Sequence, residues 1–487
     1  MNLQSQNETE PRAHHDVPPL VVDLDGTLIK TDLLLESALA FVARHPFQSY
    51  KLIFWALAGK SVLKHRIAQH IEIDAATLPY NADVLNHIEA SAGTRRIYLS
   101  SASNEKYVGQ VHDHLGVFDG FMGSDEKTNN SKTAKITRLK SDYACESFDY
   151  IGNAHDDLHI WGRANAAIAV NAGGSVRRAL LKTRPDAVFL DSTDKPAKPW
   201  KPYVKMLRPH QWAKNTLVFV PLIMSHTFSL PAILLAFFAF VSFSLCASSV
   251  YILNDLLDIT ADRQHPTKRT RPFAAGTVSV MTGALIGAGL LLAAFLIGLF
   301  ISPMFLAALA LYYIMTNAYS LLLKRKLMID VVTLAGLYAT RLLAGAYAVS
   351  VPISEWLLAF AVFIFLSLAL IKRHSEMAMR LDAGLADPTN RGYRITDLPA
   401  LIALAAAAGY SAVIVFSLYI GNPEITTLYT HPRRMFLACP LLLYWISRAV
   451  IMSHRRDMHD DPVVFALKDR VSLVTLGLIG VVGLAAL

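Results

Sequence analysis

Three aspartates with helical spacing are the residues of this sequence whose chemistry is easiest to infer. Asp255, Asp258 and Asp262 lie in the segment NDLLDITAD, spaced i, i+3 and i+7. At about 100° per residue, this spacing places three carboxylates in one stripe of a helix face, where they repel one another unless cations bridge them. Carboxylate oxygens at this density suit Mg²⁺, which commonly also binds substrate phosphates. We therefore predict a magnesium site at this segment.

A basic run follows the aspartates without interruption. The segment RQHPTKRTRPFAAG (263–276) supplies Arg263, His265, Lys268, Arg269 and Arg271. Carboxylates beside bases at the mouth of a helical bundle are what a complex of magnesium and diphosphate requires. The alternative is a solvated loop in which the acids pair with neighbouring bases.

The elements that must position these residues are long apolar helices. Of the 487 residues, 53% are hydrophobic and 17% are charged, and the apolar excess begins near residue 215. About 20 apolar residues suffice to cross a bilayer. We predict an all-α polytopic membrane bundle of nine spans, at 213–229, 231–254, 278–299, 302–322, 330–349, 354–372, 399–420, 434–452 and 470–487.

The basic residues of this half are distributed unequally among the loops. The loops after the second, fourth, sixth and eighth predicted spans hold nearly all of them. By the positive-inside rule these loops are cytoplasmic, so we predict a multi-pass protein of the inner (cytoplasmic) membrane whose N-terminal domain is cytoplasmic. The same asymmetry accounts for the net charge of +8 without a nucleic-acid partner.

The segment NDLLDITADRQHPTKRTRPFAAG resembles the first aspartate-rich motif of the UbiA superfamily of intramembrane prenyltransferases. The resemblance extends over roughly residues 205–487. It implies a magnesium-dependent transferase in which Asp255 and Asp258 are catalytic and bind Mg²⁺ together with Asp262. Three further residues of the motif would contact the diphosphate: Asn254, Lys268 and Arg271.

The second motif departs from the usual pattern of that superfamily. Asp330 is present, but Leu334 occupies the position of the second acid in DxxxD. With its basic residues, the segment resembles the branch typified by decaprenyl-phosphate phosphoribosyltransferases. That resemblance implies transfer of phosphoribose from phosphoribosyl pyrophosphate to a polyprenyl phosphate. The substrate-binding residues would then be Lys214, Lys324, Asp330, Tyr338, Arg341, Lys372 and Arg373.

Several roles stay open at this point. Asp330 could bind a ribose hydroxyl or a second Mg²⁺. Arg341, on the same helix face, could bind substrate or be the structural partner of Asp330. The competing functions are an aromatic prenyltransferase that uses a prenyl diphosphate, with a non-catalytic or regulatory soluble domain, and a transporter with a regulatory domain. Leu334 argues against the first, and the clustered acids and bases argue against the second.

The N-terminal half carries a second set of motifs. LVVDLDGTLI (20–29) runs from apolar residues into DxDGT, and it is followed by IYLSSAS (97–103), NNSKTAK (129–135) and YIGNAHDDLHIW (150–161). This order resembles the motifs of the haloacid dehalogenase superfamily of phosphotransferases. The resemblance implies an α/β Rossmann-like phosphatase domain with a parallel sheet and a helical cap at 33–75.

Within that resemblance, Asp23 is the nucleophile and Asp25 the general acid and base. Lys135 neutralises the phosphate. Ser101 fits the phosphate-binding hydroxyl, with Ser100 as a rival. Mg²⁺ would bind four side chains: Asp23, Asp25, Asn153 and Asp157.

Asn153 stands where the haloacid dehalogenase superfamily usually has an aspartate. An amide offers magnesium one oxygen without charge, so metal affinity should fall. A degenerate domain kept for binding or regulation therefore remains an alternative to an active phosphatase. We also expect the apolar stretch LIFWALAG (52–59) to pack within the cap core, with the membrane or the bundle as the alternative surface.

These observations predict four parts: a disordered polar N-terminus (1–18), a phosphatase-like domain (19–190), a linker (191–205) and a transferase domain (206–487). They suggest a two-step hypothesis. The membrane half makes polyprenyl-phosphoryl phosphoribose, and the soluble half removes the 5-phosphate to give polyprenyl-phosphoryl ribose for cell-envelope biosynthesis. The oligomeric state is left open, a homo-oligomer included.

Overall fold

The computed structural model describes residues 17–191, 198–352, 354–388, 391–422, 429–458 and 462–487. Most of the predicted disordered N-terminus and part of the predicted linker lie outside these residues. The rest of the predicted linker is partly helical: helix α9 begins at Lys201 and ends at Leu207.

The chain forms two compact units. The first contains Met1–Met206 and Ile252–Leu285, apart from the undescribed residues, and the second contains Leu207–Tyr251 and Ile286–Leu487. The aspartate-rich segment, which the sequence analysis assigns to the transferase domain, therefore packs with the N-terminal unit.

A six-stranded parallel sheet forms the centre of the first unit. Its strands are β1 (Leu20–Val22), β2 (Ile97–Asn104), β3 (Gly120–Ser124), β4 (Asp149–Gly152), β5 (Ala167–Val170) and β6 (Val188–Leu190), in the spatial order β3-β2-β1-β4-β5-β6. β1 is buried between β2 and β4 because Leu20, Val21 and Val22 are apolar on both faces. The strand order reverses at β1 and β4, and ligands of such sheets bind beyond the carboxyl ends of the strands at that point.

Helices follow the strands of this sheet in alternation, as predicted. They are α4 (Ala82–Ser91), α5 (Glu105–Leu115), α6 (Thr133–Tyr143), α7 (Leu158–Trp161) and α8 (Gly174–Thr183). Two apolar cores result, one of which centres on Val22 and Leu99 and the other on Tyr150 and Trp161. The predicted α/β parallel-sheet fold of this half is confirmed.

Three helices fill the predicted cap region between β1 and β2. They are α1 (Leu33–Arg44), α2 (Lys51–Ala58) and α3 (Lys60–His70). On α2, Trp55 packs against Phe41 of α1, with ring centroids 5.2 Å apart. Ile53, Phe54 and Leu57, in contrast, are 64–81% exposed. The expectation that LIFWALAG packs within the cap was therefore right for only one helix face, because a two-turn helix that is apolar all round cannot bury both.

Two long helices join the units at the aspartate-rich segment. α11 (Leu230–Leu257) ends beside it, and α13 (Val280–Ile301) begins after it. Between them lie α12 (Ile259–Gln264) and a short 3₁₀ turn, Lys268–Thr270.

In the described part of the chain, seven helices are long and apolar enough to cross a membrane: Leu230–Leu257, Val280–Ile301, Pro303–Leu321, Ile329–Val349, Glu355–Asp382, Ile395–Ile420 and Pro432–His454. The sequence analysis predicted nine spans. The predicted span 213–229 is instead a 3₁₀ helix, Pro209–Phe219, followed by the short α10, Val220–Met224, since its polar residues and Pro221 interrupt a long α-helix. The predicted last span is a helix of 17 residues, Arg470–Ala486.

One helix lies at the centre of the second unit. α14 (Pro303–Leu321), α15 (Ile329–Val349), α16 (Glu355–Asp382), α17 (Leu398–Ile420) and α18 (Ala438–His454) pack largely as sequence neighbours. α15 contributes Val331 to a core with α16, α17 and α18, and Leu337 to a core with α11, α13 and α14. At Gly345 a Cβ would lie 2.2 Å from the carbonyl oxygen of Val218, so a small residue lets α15 contact the 3₁₀ helix directly.

Candidate functional sites

The aspartate-rich segment holds two buried carboxylates that share one arginine. Arg271 Nη1 lies 3.0 Å from Asp255 Oδ1 and 2.7 Å from Asp262 Oδ2. Both acids are less than 5% exposed, whereas Asp258 is partly exposed. α11 ends just before Asp258, which precedes α12, so the three acids do not form the single uninterrupted helical stripe that their spacing predicted.

One guanidinium bridges the two buried carboxylates of the acid cluster. No group of three metal-ligating side chains converges among the residues that the structure describes. The acids pair with a neighbouring base, as the loop alternative expected, but they do so in a buried position.

Arg263, the residue after Asp262, forms an ion pair with Glu36 of the cap. Arg263 donates through Nη1 and Nη2 to the carboxylate of Glu36 on α1, at 2.9 and 2.5 Å, and through Nε to the carbonyl of Ala274 at 3.1 Å. Both side chains of the ion pair are less than 8% exposed. A bidentate buried pair therefore attaches the aspartate-rich segment to the cap.

A second polar cluster lies within the second unit at the start of α15. Arg373 of α16 is fully buried, its Nε is 3.0 Å from Asp330 Oδ2, and its Nη1 donates to Glu376. Tyr393 donates to Asp330 Oδ1 at 2.5 Å. Arg373 Nη2 is buried and has no hydrogen-bond acceptor among the described residues. Asp330 thus orients an arginine that retains an unused donor.

Arg341 has its own set of partners in the second unit. It donates to Asn215 Oδ1 at 2.9 Å, to the carbonyl of Leu337 at 2.6 Å and to the hydroxyl of Tyr312 at 3.3 Å. Its guanidinium carbon also lies 5.3 Å from the ring centre of Tyr338. The interpretation of Arg341 as the structural partner of Asp330 was wrong, because α16 supplies Arg373 to that acid. These hydrogen-bond partners of Arg341 are all neutral.

Five further predicted ligands of the transferase half are less buried. Asn254 is in the last turn of α11, and Lys268 is exposed in the loop that follows it. Lys214, Lys324 and Lys372 are partly exposed in the second unit. Each of these three lysines has interactions within the structure.

In the first unit, the carboxyl end of β1 carries a buried ion pair. Asp23 Oδ1 lies 2.5 Å from Lys135 Nζ, which also donates to the Tyr150 hydroxyl at 3.0 Å. Burial raises the pKa of Asp23 to about 7, although the Lys135 charge acts in the opposite direction. The structure thus brings together the predicted nucleophile and the predicted phosphate-neutralising lysine, 112 residues apart in sequence.

Asp25 and Ser101 also meet at this edge of the sheet. The hydroxyls of Ser101 and Ser103 donate to Asp25 Oδ2 at 2.9 and 2.7 Å, and the Leu33 amide donates to Oδ1 at 2.8 Å. Ser100, the rival of Ser101, is buried with no hydrogen-bond partner for its hydroxyl among the described residues. The geometry therefore favours Ser101 as the hydroxyl beside the catalytic-type acids.

Asn153 and Asp157 have different surroundings at the end of β4. Asp157 accepts hydrogen bonds from the backbone amides of Asn153 and Ala154, both at 2.9 Å, and from the Tyr150 hydroxyl at 2.8 Å. It therefore shapes the loop. Asn153 Oδ1, by contrast, is buried without a hydrogen-bond donor among the described residues. Asn153 lines one cavity with Asp25, and its orphaned oxygen has the chemistry of a magnesium ligand.

Sequence reasoning missed three residues of this site. Lys64 of the cap is buried and donates to the carbonyl of Ala102 at 2.6 Å and to Asn129 at 2.7 Å. Burial lowers its pKa. Tyr150 and Ser103 complete the network, and both lie inside quoted motifs, at the start of YIGNAHDD and the end of IYLSSAS. No local pattern marked Lys64, since it reaches the site from a separate helix.

Comparisons with known proteins identify relatives of this chain. Residues 216–473 match the UbiA prenyltransferase family. Uncharacterized protein y4nM of Sinorhizobium fredii is 35% identical over 458 residues, 93% of this chain and 88% of that protein. Nodulation protein NoeC of Azorhizobium caulinodans is 35% identical over 57% of this chain and 91% of its own length. Decaprenyl-phosphate phosphoribosyltransferase of Mycobacterium tuberculosis is 34% identical over 38% of this chain and 62% of its own length.

Proposed function

Because the chain belongs to the UbiA prenyltransferase family and is a multi-pass integral membrane protein, we propose that it transfers phosphoribose from phosphoribosyl pyrophosphate to a polyprenyl phosphate. The observation that carries the proposal is the buried pair Asp255 and Asp262 around Arg271, in a chain with Leu334 in place of the second motif's acid. The similarity to a decaprenyl-phosphate phosphoribosyltransferase supports phosphoribosyl transfer to a polyprenyl phosphate.

The acid cluster suits a diphosphate leaving group. Asp255, Asp258 and Asp262 would hold Mg²⁺, which when bound neutralises the diphosphate. Their oxygens are the ligand type that this cation prefers, and Asp255 and Asp262 lie close enough to share one arginine. The guanidinium of Arg271, which lies beside these acids, would bind a phosphate oxygen together with Asn254 and Lys268.

The reaction needs no strong general base. The bond between the anomeric carbon and the diphosphate oxygen breaks, and the diphosphate leaves with the electron pair. An oxygen of the polyprenyl phosphate, already ionised at neutral pH, forms the new bond to that carbon through an oxocarbenium-like transition state. The protein's contribution is to orient the two phosphates and stabilise their charge.

Cationic side chains of the second unit would bind the other phosphates. The neutral surroundings of Arg341 favour an anion, and Arg373 Nη2 is a donor without an acceptor among the described residues. We infer that Asp330 is a positioning residue for Arg373 rather than a ligand of a second Mg²⁺, since its oxygens already face Arg373, Tyr393 and an amide. Further contacts would come from Lys214, Lys324, Tyr338 and Lys372.

For the N-terminal domain we propose a haloacid dehalogenase-like phosphatase that removes the 5-phosphate from the lipid product. Asp23 would attack phosphorus while Asp25 protonates the departing ribose oxygen, and water would then release inorganic phosphate from Asp23. Lys135 lies at Asp23, and Ser101 lies at Asp25. Magnesium would be held by Asp23, Asp25 and the orphaned oxygen of Asn153, with Asp157 shaping their loop.

The proposed location follows from the unequal distribution of basic residues among the loops. The protein would lie in the inner membrane with its N-terminal domain, the aspartate-rich loop and both sites on the cytoplasmic side. Substrates made in the cytoplasm would then reach both sites without crossing the bilayer.

A labelled-donor assay tests the transferase proposal. Purified full-length protein, Mg²⁺, phosphoribosyl pyrophosphate labelled in ribose and a polyprenyl phosphate should yield label in the organic phase. Asp255→Asn should reduce this activity by about 10²–10³-fold, the range for loss of one preorganised electrostatic contact. Label that stays wholly in the aqueous phase would refute the proposal, and turnover of a prenyl diphosphate with an aromatic acid would favour aromatic prenyl transfer.

A further inference from the structure

A cavity of about 610 Å³ opens at the carboxyl end of β1 in the first unit. One side is formed by the phosphatase-type residues Asp25 and Asn153. The other is formed by Gly276, Thr277, Val280 and Met281, the loop that follows the aspartate-rich segment and the first turn of α13. A pocket with phosphate chemistry on one side is therefore completed by the beginning of an apolar helix long enough to cross a membrane.

The loop is held closely against the N-terminal domain. Gly276 has a φ of +67°, and a Cβ at this position would lie 2.7 Å from Lys30 Cβ and 3.0 Å from the Lys30 carbonyl oxygen. Only glycine combines this backbone conformation with this approach at little cost. The segment 272–281 therefore packs closely against the N-terminal domain and forms one wall of the pocket.

A chain of hydrogen bonds reinforces the same junction. Arg263 binds Glu36 and the carbonyl of Ala274 in the loop. The Thr31 hydroxyl donates to Glu36, and the Thr31 carbonyl accepts from the amide of Gly26, next to Asp25. The loop and the catalytic-type turn after β1 are therefore tied to one buried ion pair.

We propose that this wall makes the phosphatase-type pocket selective for a phosphate monoester carried on a polyprenyl lipid. The inference rests on the proposed phosphatase activity and adds the residues that would select the lipid-borne ester over a free sugar phosphate. Asp25 and Asn153 would face the phosphate, while Val280 and Met281 would contact the first isoprene units. Met281 is 51% exposed, so its side chain has surface available for such a ligand. Removing apolar surface of the lipid from water would supply the selectivity.

The test compares two esters with the full-length protein in detergent micelles: ribose 5-phosphate, and the same sugar phosphate with a geranyl-phosphoryl group on its anomeric carbon. Phosphate release gives kcat/KM for each. We expect a preference of about tenfold or more for the lipid ester, which burial of roughly two methylene groups supplies. Equal kcat/KM values for the two esters would overturn the proposed lipid selectivity but not the proposed phosphatase activity. Hydrolysis of neither ester would overturn both.

A matched pair of variants tests whether Met281 in this wall determines the selectivity. Met281→Gln should lower the ratio of the two kcat/KM values to about twofold, since it replaces an apolar contact with an amide. Leu285→Gln, one turn further along α13, is the control, because Leu285 is similarly exposed but does not line the cavity. It should keep the wild-type ratio. A similar fall of the ratio in both variants, or in neither, would contradict the assignment.

Discussion

Asp23 is the residue on which the second proposed step depends. It is buried, it pairs with Lys135, and its carboxylate lies at the carboxyl end of β1. Asp23→Asn removes the nucleophile while preserving its shape, so we expect transfer to continue and the lipid product to retain its 5-phosphate. Inorganic phosphate release should fall to background. The control is Asp156→Asn, an exposed acid paired with Lys132. Equal phosphate release by Asp23→Asn and wild type would exclude this role.

The buried ion pair of Asp330 and Arg373 should contribute to the free energy of unfolding. Asp330→Ala leaves a fully buried guanidinium with less compensation, which should cost about 3–5 kcal/mol of unfolding free energy. Denaturation in detergent measures it. Asp382→Ala, which removes the acid of the exposed pair with Arg456, should cost about 1 kcal/mol or less. Similar losses in the two variants would show that burial does not determine the effect.

The same residues indicate how far sequence reasoning extends. The resemblance to the haloacid dehalogenase motifs implied that Asp23, Asp25, Ser101 and Lys135 belong to one site. In the structure Lys135 contacts Asp23, and Ser101 contacts Asp25. The partner of Asp330 could not be predicted, since Arg373 lies on another helix and periodicity relates residues of one helix only. Periodicity pointed to Arg341, which binds Asn215 of the 3₁₀ helix instead.

At the scale of elements, α1 and the aspartate-rich segment are joined by Glu36 and Arg263. Glu36→Ala should release the loop after α12, because the buried Arg263 loses its counter-charge at a cost of about 3–5 kcal/mol. Hydrogen exchange at the amides of Ala275 and Gly276, which bond within the loop, should then accelerate. Glu72→Ala, from an exposed pair with Lys106, should leave these amides unchanged. Unchanged exchange in Glu36→Ala would contradict the attachment.

Hydropathy predicted most helices but not their interruptions. The seven long apolar helices each coincide with a predicted span, since about 20 apolar residues specify a helix in lipid. The region 213–229 is different. Its polar residues make tertiary contacts, including Asn215 with Ser244, and these contacts are invisible to a window of average hydropathy.

For the whole molecule, the division into units changes how the two proposed steps are related. The sequence analysis placed a domain border near residue 205 and assigned everything after it to the transferase. In the structure, Ile252–Leu285 packs with the N-terminal unit. The segment that would hold the diphosphate and the loop that completes the phosphatase-type cavity are thus parts of one compact unit. No sequence pattern predicts this, because the contacts join residues more than 200 positions apart, such as Glu36 and Arg263.

The mass of the lipid product is the most direct test of the central claim. Wild-type protein given Mg²⁺, phosphoribosyl pyrophosphate and a polyprenyl phosphate of known length should yield a lipid heavier by one ribosyl group, and Asp23→Asn should yield a lipid heavier by one phosphoribosyl group. Recovery of only the unmodified polyprenyl phosphate in both reactions would contradict the account.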